Sequence, residues 1–233
     1  MLDKKGRKVR VVRRIEDLKG LKLVQKSELE EEEIVAVVMY TGPMFQVYNA
    51  ILRQHPPDVL GRFRAGGNLC PTTIHILVSA VIKIARSTKL PSGLELFRGL
   101  GGLVELPDSF FRVDANGCRG YAEWGFLSTT SNKAVAVEYS GLVQGRPQAM
   151  VLRMTTGAID RGACIAELSQ YAGESEYLWV PCSFLEPEGA PTVELIEGAG
   201  GAARGVVMVV PVRVSANLKA LTVEELRTQK RDM

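Results

Sequence analysis

Hydrophobic and polar positions change rhythm along this chain near Pro91. Before it, apolar residues recur at helical spacing; after it, they come in short runs separated by Gly and Pro. Ser27-Glu28-Leu29-Glu30 has the form of a capping box ahead of the apolar run Ile34 to Met39, so a helix is expected to begin near Glu28. Thr41-Gly42-Pro43 should break it. Pro43 suits the first turn of a second helix carrying Phe45, Tyr48, Asn49 and Leu52, which Pro56-Pro57 ends. Residues 62–68, rich in Gly and Arg, read as a loop. A third helix is expected over 73–86, apolar nearly all round and therefore buried. Strands are expected over 94–98, 125–130, 149–154, 177–182, 192–196 and 206–214. A short helix should start after Ser131-Asn132 with Val135 and Tyr139 facing inward, and Thr222-Val223-Glu224-Glu225 opens a charged helix near the end. Helices first and strands later make an α+β domain. There is no internal repeat. The pattern divides the 233 residues into a charged segment or linker (1–33), one domain (34–214) and a charged, helical tail (215–233).

Composition excludes more than it specifies. An apolar fraction of 46% and a charged fraction of 24% are ordinary for a globular domain. No apolar run reaches the ~18 residues of a membrane span; the densest, 74–85, is interrupted by Lys83. Residues 1–14 lack the apolar stretch of a secretory signal. The expectation is a cytosolic protein, or a piece of something larger, with no membrane partner. Lys4, Lys5, Arg7, Lys8, Arg10, Arg13 and Arg14 crowd the start, but no aromatic residue is interleaved with them. That run reads as a solvated tail, not as a nucleic-acid module. Cys70, Cys118, Cys164 and Cys182 lie far apart, and the chain has only His55 and His75. This supplies little for zinc, a disulfide framework or a His-based triad, so no metal is expected and both histidines read as structural.

Glycine-rich stretches do not make a nucleotide loop here. Gly198-Ala199-Gly200-Gly201-Ala202-Ala203 fits GxGxxA in form, but the apolar run 206–210 just beyond it reads as a strand, not as the helix whose N-terminus would hold a pyrophosphate. Gly99-Leu100-Gly101-Gly102 lacks the third glycine, and Gly173-Glu174-Ser175-Glu176-Tyr177 lacks the last glycine of GxSxG.

Three short motifs remain. Leu96-Phe97-Arg98-Gly99 ends a strand with an arginine and a glycine, a pairing that can fork a phosphate while the backbone approaches closely. Gly125 to Thr130 ends in the hydroxyls of Ser128, Thr129 and Thr130, which could hold a carboxylate or be ordinary strand residues. Glu174-Ser175-Glu176 puts two acids on one face if the segment is extended, with Cα atoms about 6.5–7 Å apart. Two carboxylates so placed can act on one substrate or simply face solvent.

In this order the motifs resemble the Arg–Ser–Glu class of mono-ADP-ribosyltransferases. Phe97-Arg98-Gly99 resembles the arginine motif, and Gly125 to Ser131 the Ser-Thr-Ser motif with Thr130 at its third place. Tyr171 to Glu176 resembles the Glu-x-Glu motif with its aromatic-bearing loop, and Tyr40-Thr41-Gly42 with Tyr48 to Arg53 the helical region. The likeness runs from about Ile34 to Val214. It implies N-terminal helices on a split, mostly antiparallel β-sandwich enclosing an NAD cleft. It implies cleavage of the nicotinamide–ribose bond of NAD, or NADP, which is a co-substrate and no prosthetic group, and transfer of ADP-ribose to arginine side chains of an acceptor protein. Glu176 would be the catalytic carboxylate and Ser128 would orient it. Arg98 would bind phosphate, Gly99 the nicotinamide amide, and Thr129 and Thr130 would join Ser128 at the dinucleotide. Tyr171 and Glu174 would meet the acceptor, Glu174 helping to remove its proton. A glycohydrolase using water as acceptor, and an inactive NAD- or partner-binding module, are the alternatives.

Overall fold

The computed structural model describes residues 10–91, 93–101, 105–142, 148–157, 161–171, 175–197, 203–216 and 221–232. Helices α1 (Ile15–Lys19), α2 (Lys22–Lys26), α3 (Glu31–Met39), α4 (Phe45–Arg53), α5 (Pro57–Ala65) and α6 (Pro71–Ser87) come first. Strands β1 (Glu95–Gly99), β2 (Tyr121–Glu123), β3 (Leu127–Thr130), β4 (Gln148–Thr155), β5 (Ala163–Cys164), β6 (Glu176–Trp179), β7 (Ser183–Pro187), β8 (Thr192–Glu197) and β9 (Ala203–Ser215) come after them. Between the strands lie α7 (Asp108–Phe111) and α8 (Lys133–Tyr139), and α9 (Val223–Asp232) comes last. This is the expected α+β order.

Several local expectations differ from what forms. Helix α3 starts at Glu31, and its capping box is closed by Glu30 and Glu33. Ser27 instead ends α2 and shares a 2.6 Å hydrogen bond with Ser87. Residues 62–65 close a helix, α5, in place of the expected loop. Pro57 opens it, Asp58 sits in its first turn and Arg62 and Arg64 in its last, as the helix dipole favours. Between α3 and α4, Gly42 has non-helical angles (φ −86°, ψ −153°) and kinks the chain ahead of Pro43. By length and composition Glu31–Arg53 is apolar enough to cross a membrane, but Ile34, Val37, Tyr40 and Tyr48 along it are buried in the helical core. Leu18, Leu23 and Val24, within the segment read as a charged lead-in, belong to the same core. The four cysteines are all unpaired.

The strands make one mixed sheet, ordered β2-β7-β9-β4-β1-β3-β6-β5 with β8 on β9; among the described pairs only β4–β9 is parallel. Between β1 and β3 the ladder thins to the single pair Phe97–Thr130. The sheet is therefore split there. Leu127 and Trp179 from one side of the split pack in one cluster with Leu96, Leu152, Leu185 and Val210 from the other. Leu178 and Val180, alternating with Trp179 along the chain, join the core beneath the helices. The split opens towards α4 and α8, and that is where the candidate residues lie.

Candidate active site

Strands β3 and β6 are antiparallel, with Ser128 opposite Leu178 and Thr130 opposite Glu176. Ser128 and Glu176 are thus diagonal neighbours on one face, a separation that a glutamate side chain spans. The Ser128 hydroxyl donates to Glu176 Oε1 at 2.6 Å. Across the split, Arg98 Nη1 donates to the Ser128 carbonyl at 2.8 Å. Where β1 and β3 part, a guanidinium bridges the gap that backbone pairing leaves.

Gly99 ends β1 against α8. A Cβ there would fall 2.1 Å from the Ala136 carbonyl oxygen and 2.6 Å from the Ser140 nitrogen, both backbone atoms. Only glycine allows this approach. The opposite wall comes from the kink and α4. Asn49 Oδ1 accepts the Phe126 N–H at 2.8 Å, and its amide donates to the Tyr40 hydroxyl at 3.3 Å. Arg53 forks onto Glu123 at 2.8 and 3.1 Å, and Glu123 also accepts the Gly125 N–H at 2.8 Å. The lead-in to β3 is thereby fastened to α4. Burial pushes the Tyr40 phenol well above its ordinary pKa, and the Glu176 carboxylate adds to the effect. Tyr40 therefore stays neutral at physiological pH.

These walls enclose a cleft of about 1130 Å³, just above the usual range for small-molecule sites. Arg98, Gly99, Ser128, Thr130, Tyr171 and Glu176 all line it, with Tyr40, Asn49 and Arg53 facing them. Thr129 lines it too, but its hydroxyl donates to the Tyr177 carbonyl at 2.9 Å and accepts from Trp179 Nε1 at 3.2 Å. Strand alternation turns that side chain away from Ser128 and Thr130, so its hydroxyl fastens β3 to β6, contrary to its expected place at a dinucleotide. Glu174, with Ala172 and Gly173, lies outside the described residues, as does the expected shared face of Glu174 and Glu176. The glycine stretch 198–201 is likewise outside them.

Tyr139 also departs from expectation. It is 59% exposed and lines the cleft, while α8 buries Ala136 and Val137. Tyr139 is four residues beyond Val135, so spacing alone could not say which face meets the core. His55, read as structural, and Arg10, read as part of a solvated tail, are cleft residues as well. The helical pattern could find Asn49 and Arg53 as one face of α4, but not what they would face.

No protein-family model and no curated protein matches the chain. Solved structures do. HopU1, an ADP-ribosyltransferase of Pseudomonas syringae pv. tomato DC3000, is 21% identical over 86% of this chain and 88% of its own, with a TM-score of 0.55. Plx2a, an ADP-ribosyltransferase toxin from Paenibacillus larvae, is 20% identical over 87% of this chain and 95% of its own, at 0.52. The Vibrio splendidus ADP-ribosyltransferase Vis, in complex with agmatine, is 19% identical over 90% of each chain, at 0.51. The chain has the ADP-ribosyltransferase fold.

Proposed function

We propose that this chain is a mono-ADP-ribosyltransferase that cleaves the nicotinamide–ribose bond of NAD, or NADP, and transfers ADP-ribose to arginine side chains. One observation carries the reading: the 2.6 Å bond from Ser128 to Glu176, inside a cleft that Arg98 and Gly99 also line. Breaking a glycosidic bond to a cationic leaving group builds oxocarbenium character on the ribose. A carboxylate held in a fixed direction stabilises that charge without reorganising. Glu176 supplies the carboxylate and Ser128 fixes it. Arg98 has the planar fork that suits the pyrophosphate, and the backbone at Gly99 is offered to the nicotinamide amide. The cleft is large enough for a dinucleotide.

The acceptor assignment rests on Glu174 and Tyr171. A guanidinium pairs well with a carboxylate, and a second acid beside Glu176 can take its proton as the nitrogen attacks. Vis, which shares the fold, is known in complex with agmatine, itself a guanidine compound. We take the catalytic unit to be residues 34–214, supported by the core residues Leu18, Leu23 and Val24 of the segment before it.

The experiment is NAD turnover with and without agmatine in three proteins. Unaltered chain should release nicotinamide and form ADP-ribosyl-agmatine. Glu174→Gln should lose transfer yet retain hydrolysis, and Glu176→Gln should lose both. If the unaltered chain neither releases nicotinamide nor modifies agmatine, the proposal is wrong. If both variants lose both reactions alike, the division of labour between the two acids is wrong.

A further inference from the structure

The chain carries an arginine of its own to the rim of the cleft beside Tyr171. Arg10 lines the same cavity as Tyr171 and Glu176, on an exposed segment of no regular structure ahead of α1. Its Nε donates to Gln170 Oε1 at 2.8 Å, and a terminal guanidinium nitrogen reaches the same oxygen. The Val11 N–H donates to the Gln170 carbonyl at 2.7 Å, and Arg13 reaches the Ser169 carbonyl at 3.2 Å. The arm therefore lies along the residues that lead directly into Tyr171.

The other two arginines of the cleft are committed differently. Arg53 is forked onto the buried Glu123, and Arg98 bridges the split to the Ser128 carbonyl. Both sit on regular elements. Arg10 is tethered through a neutral amide on an exposed segment, where water can take over both hydrogen bonds. It can leave Gln170 without parting an ion pair and turn its guanidinium into the cavity.

We propose that Arg10 is a self-modification site, accepting ADP-ribose from NAD bound in its own cleft; this rests on the transferase reading above. In the step, the bond between ribose C1′ and the nicotinamide nitrogen breaks and its electron pair leaves with nicotinamide. A terminal nitrogen of Arg10 bonds to C1′, and the guanidinium gives up one proton to solvent. The product carries a pyrophosphate and a nucleoside on the nitrogen that had met Gln170. Its bulk and negative charge oppose return to the Gln170 oxygen, so modification releases the arm from the rim beside Tyr171.

The test uses the full chain with NAD at several protein concentrations, with and without agmatine, and maps modified residues by mass spectrometry. A single ADP-ribose on Arg10, added at a first-order rate independent of protein concentration, is the expected result. Arg10→Lys should abolish that label while transfer to agmatine continues. Agmatine modified with Arg10 untouched would overturn the proposal and leave the transferase reading standing. A rate at Arg10 that rises with protein concentration would also overturn it, since the acceptor would then be another molecule's arm. Absence of nicotinamide release, of agmatine modification and of Arg10 label together would overturn both.

Discussion

Ser128 does two things for one cleft. Its hydroxyl donates to Glu176 and its carbonyl accepts from Arg98, so a single residue fixes an acid on one side and a cation on the other. A serine to alanine change removes the first bond and keeps the second. A hydrogen bond to an ionised group contributes roughly 1.5–3 kcal/mol. If that is lost mainly from the transition state, the rate falls by about 10- to 150-fold. Ser128→Ala should accordingly lower kcat for nicotinamide release to that extent while KM for NAD stays close to its original value. The chemical basis is that Ser128 touches Glu176, whereas in the proposed reading the dinucleotide is gripped by Arg98 and Gly99. An unchanged kcat would show that Glu176 needs no help from this hydroxyl.

At the scale of elements, the cleft depends on how closely β1 and α8 approach. Ala at Gly99 would put a methyl group 2.1 Å from a backbone oxygen, which cannot move aside as a side-chain tip can. Overpacking of this kind costs about 1–3 kcal/mol. Gly61, inside α5, is the opposite case, because a Cβ there meets nothing within 4 Å. Replacing a mid-helix glycine by alanine stabilises by roughly 0.5–1 kcal/mol. Denaturant midpoints should therefore move in opposite directions for Gly99→Ala and Gly61→Ala. A Gly99→Ala midpoint equal to that of the unaltered chain would contradict the close contact. The same two glycines mark how far sequence reading reaches. Arg98-Gly99 at the end of an apolar strand is legible, because strand ends and glycine have local signatures. Gly61 runs straight into the Gly- and Arg-rich residues 62–68, which read as a loop, since helix is signalled there only by Pro57 and the charges at the two ends. Strands β2 and β5 are too short for such reading and β7 ends in Pro187; each is defined by what it pairs with. The trio Arg98, Ser128 and Glu176 is readable as motifs, yet the bonds among them depend on a register and a split that no one of the motifs contains.

The whole molecule is closed by α9, which packs against α6 through ions. Lys83 lies 2.7 Å from the buried Glu33 and 2.6 Å from Glu224, and the Val223 N–H donates to Ser79 Oγ at 3.0 Å. Arg86–Glu225 and Arg227–Glu30 add pairs at 3.1 and 2.9 Å, but these are exposed and contribute little. Burial pushes the Glu224 carboxyl up, and the Lys83 ammonium outweighs it, leaving the group below its ordinary value. The Thr222 backbone N–H, and after it Arg86, hold Glu225 below its ordinary value as well. A carboxylate depressed in the folded state stabilises it at pH above the unfolded value. That contribution is lost as pH falls through the folded one. Lys83 runs the other way: burial lowers its pKa, but Glu224 and Glu33 together raise it above 10.5. Its contribution is complete below the ordinary lysine value and is lost only as pH rises past the folded one. Docking of α9 should thus be intact from mildly acidic to mildly alkaline conditions and fail first in acid. Hydrogen exchange resolved by segment, corrected for intrinsic rates, should find α9 deprotected at about pH 3, below the ordinary carboxylate range, while the apolar interior of α6 remains protected. Loss of protection in α9 and α6 at the same pH would mean that the terminal helix is part of the cooperative core and not an ion-held closure. Unchanged protection of α9 down to that pH would mean that Lys83 and its two acids do not hold it.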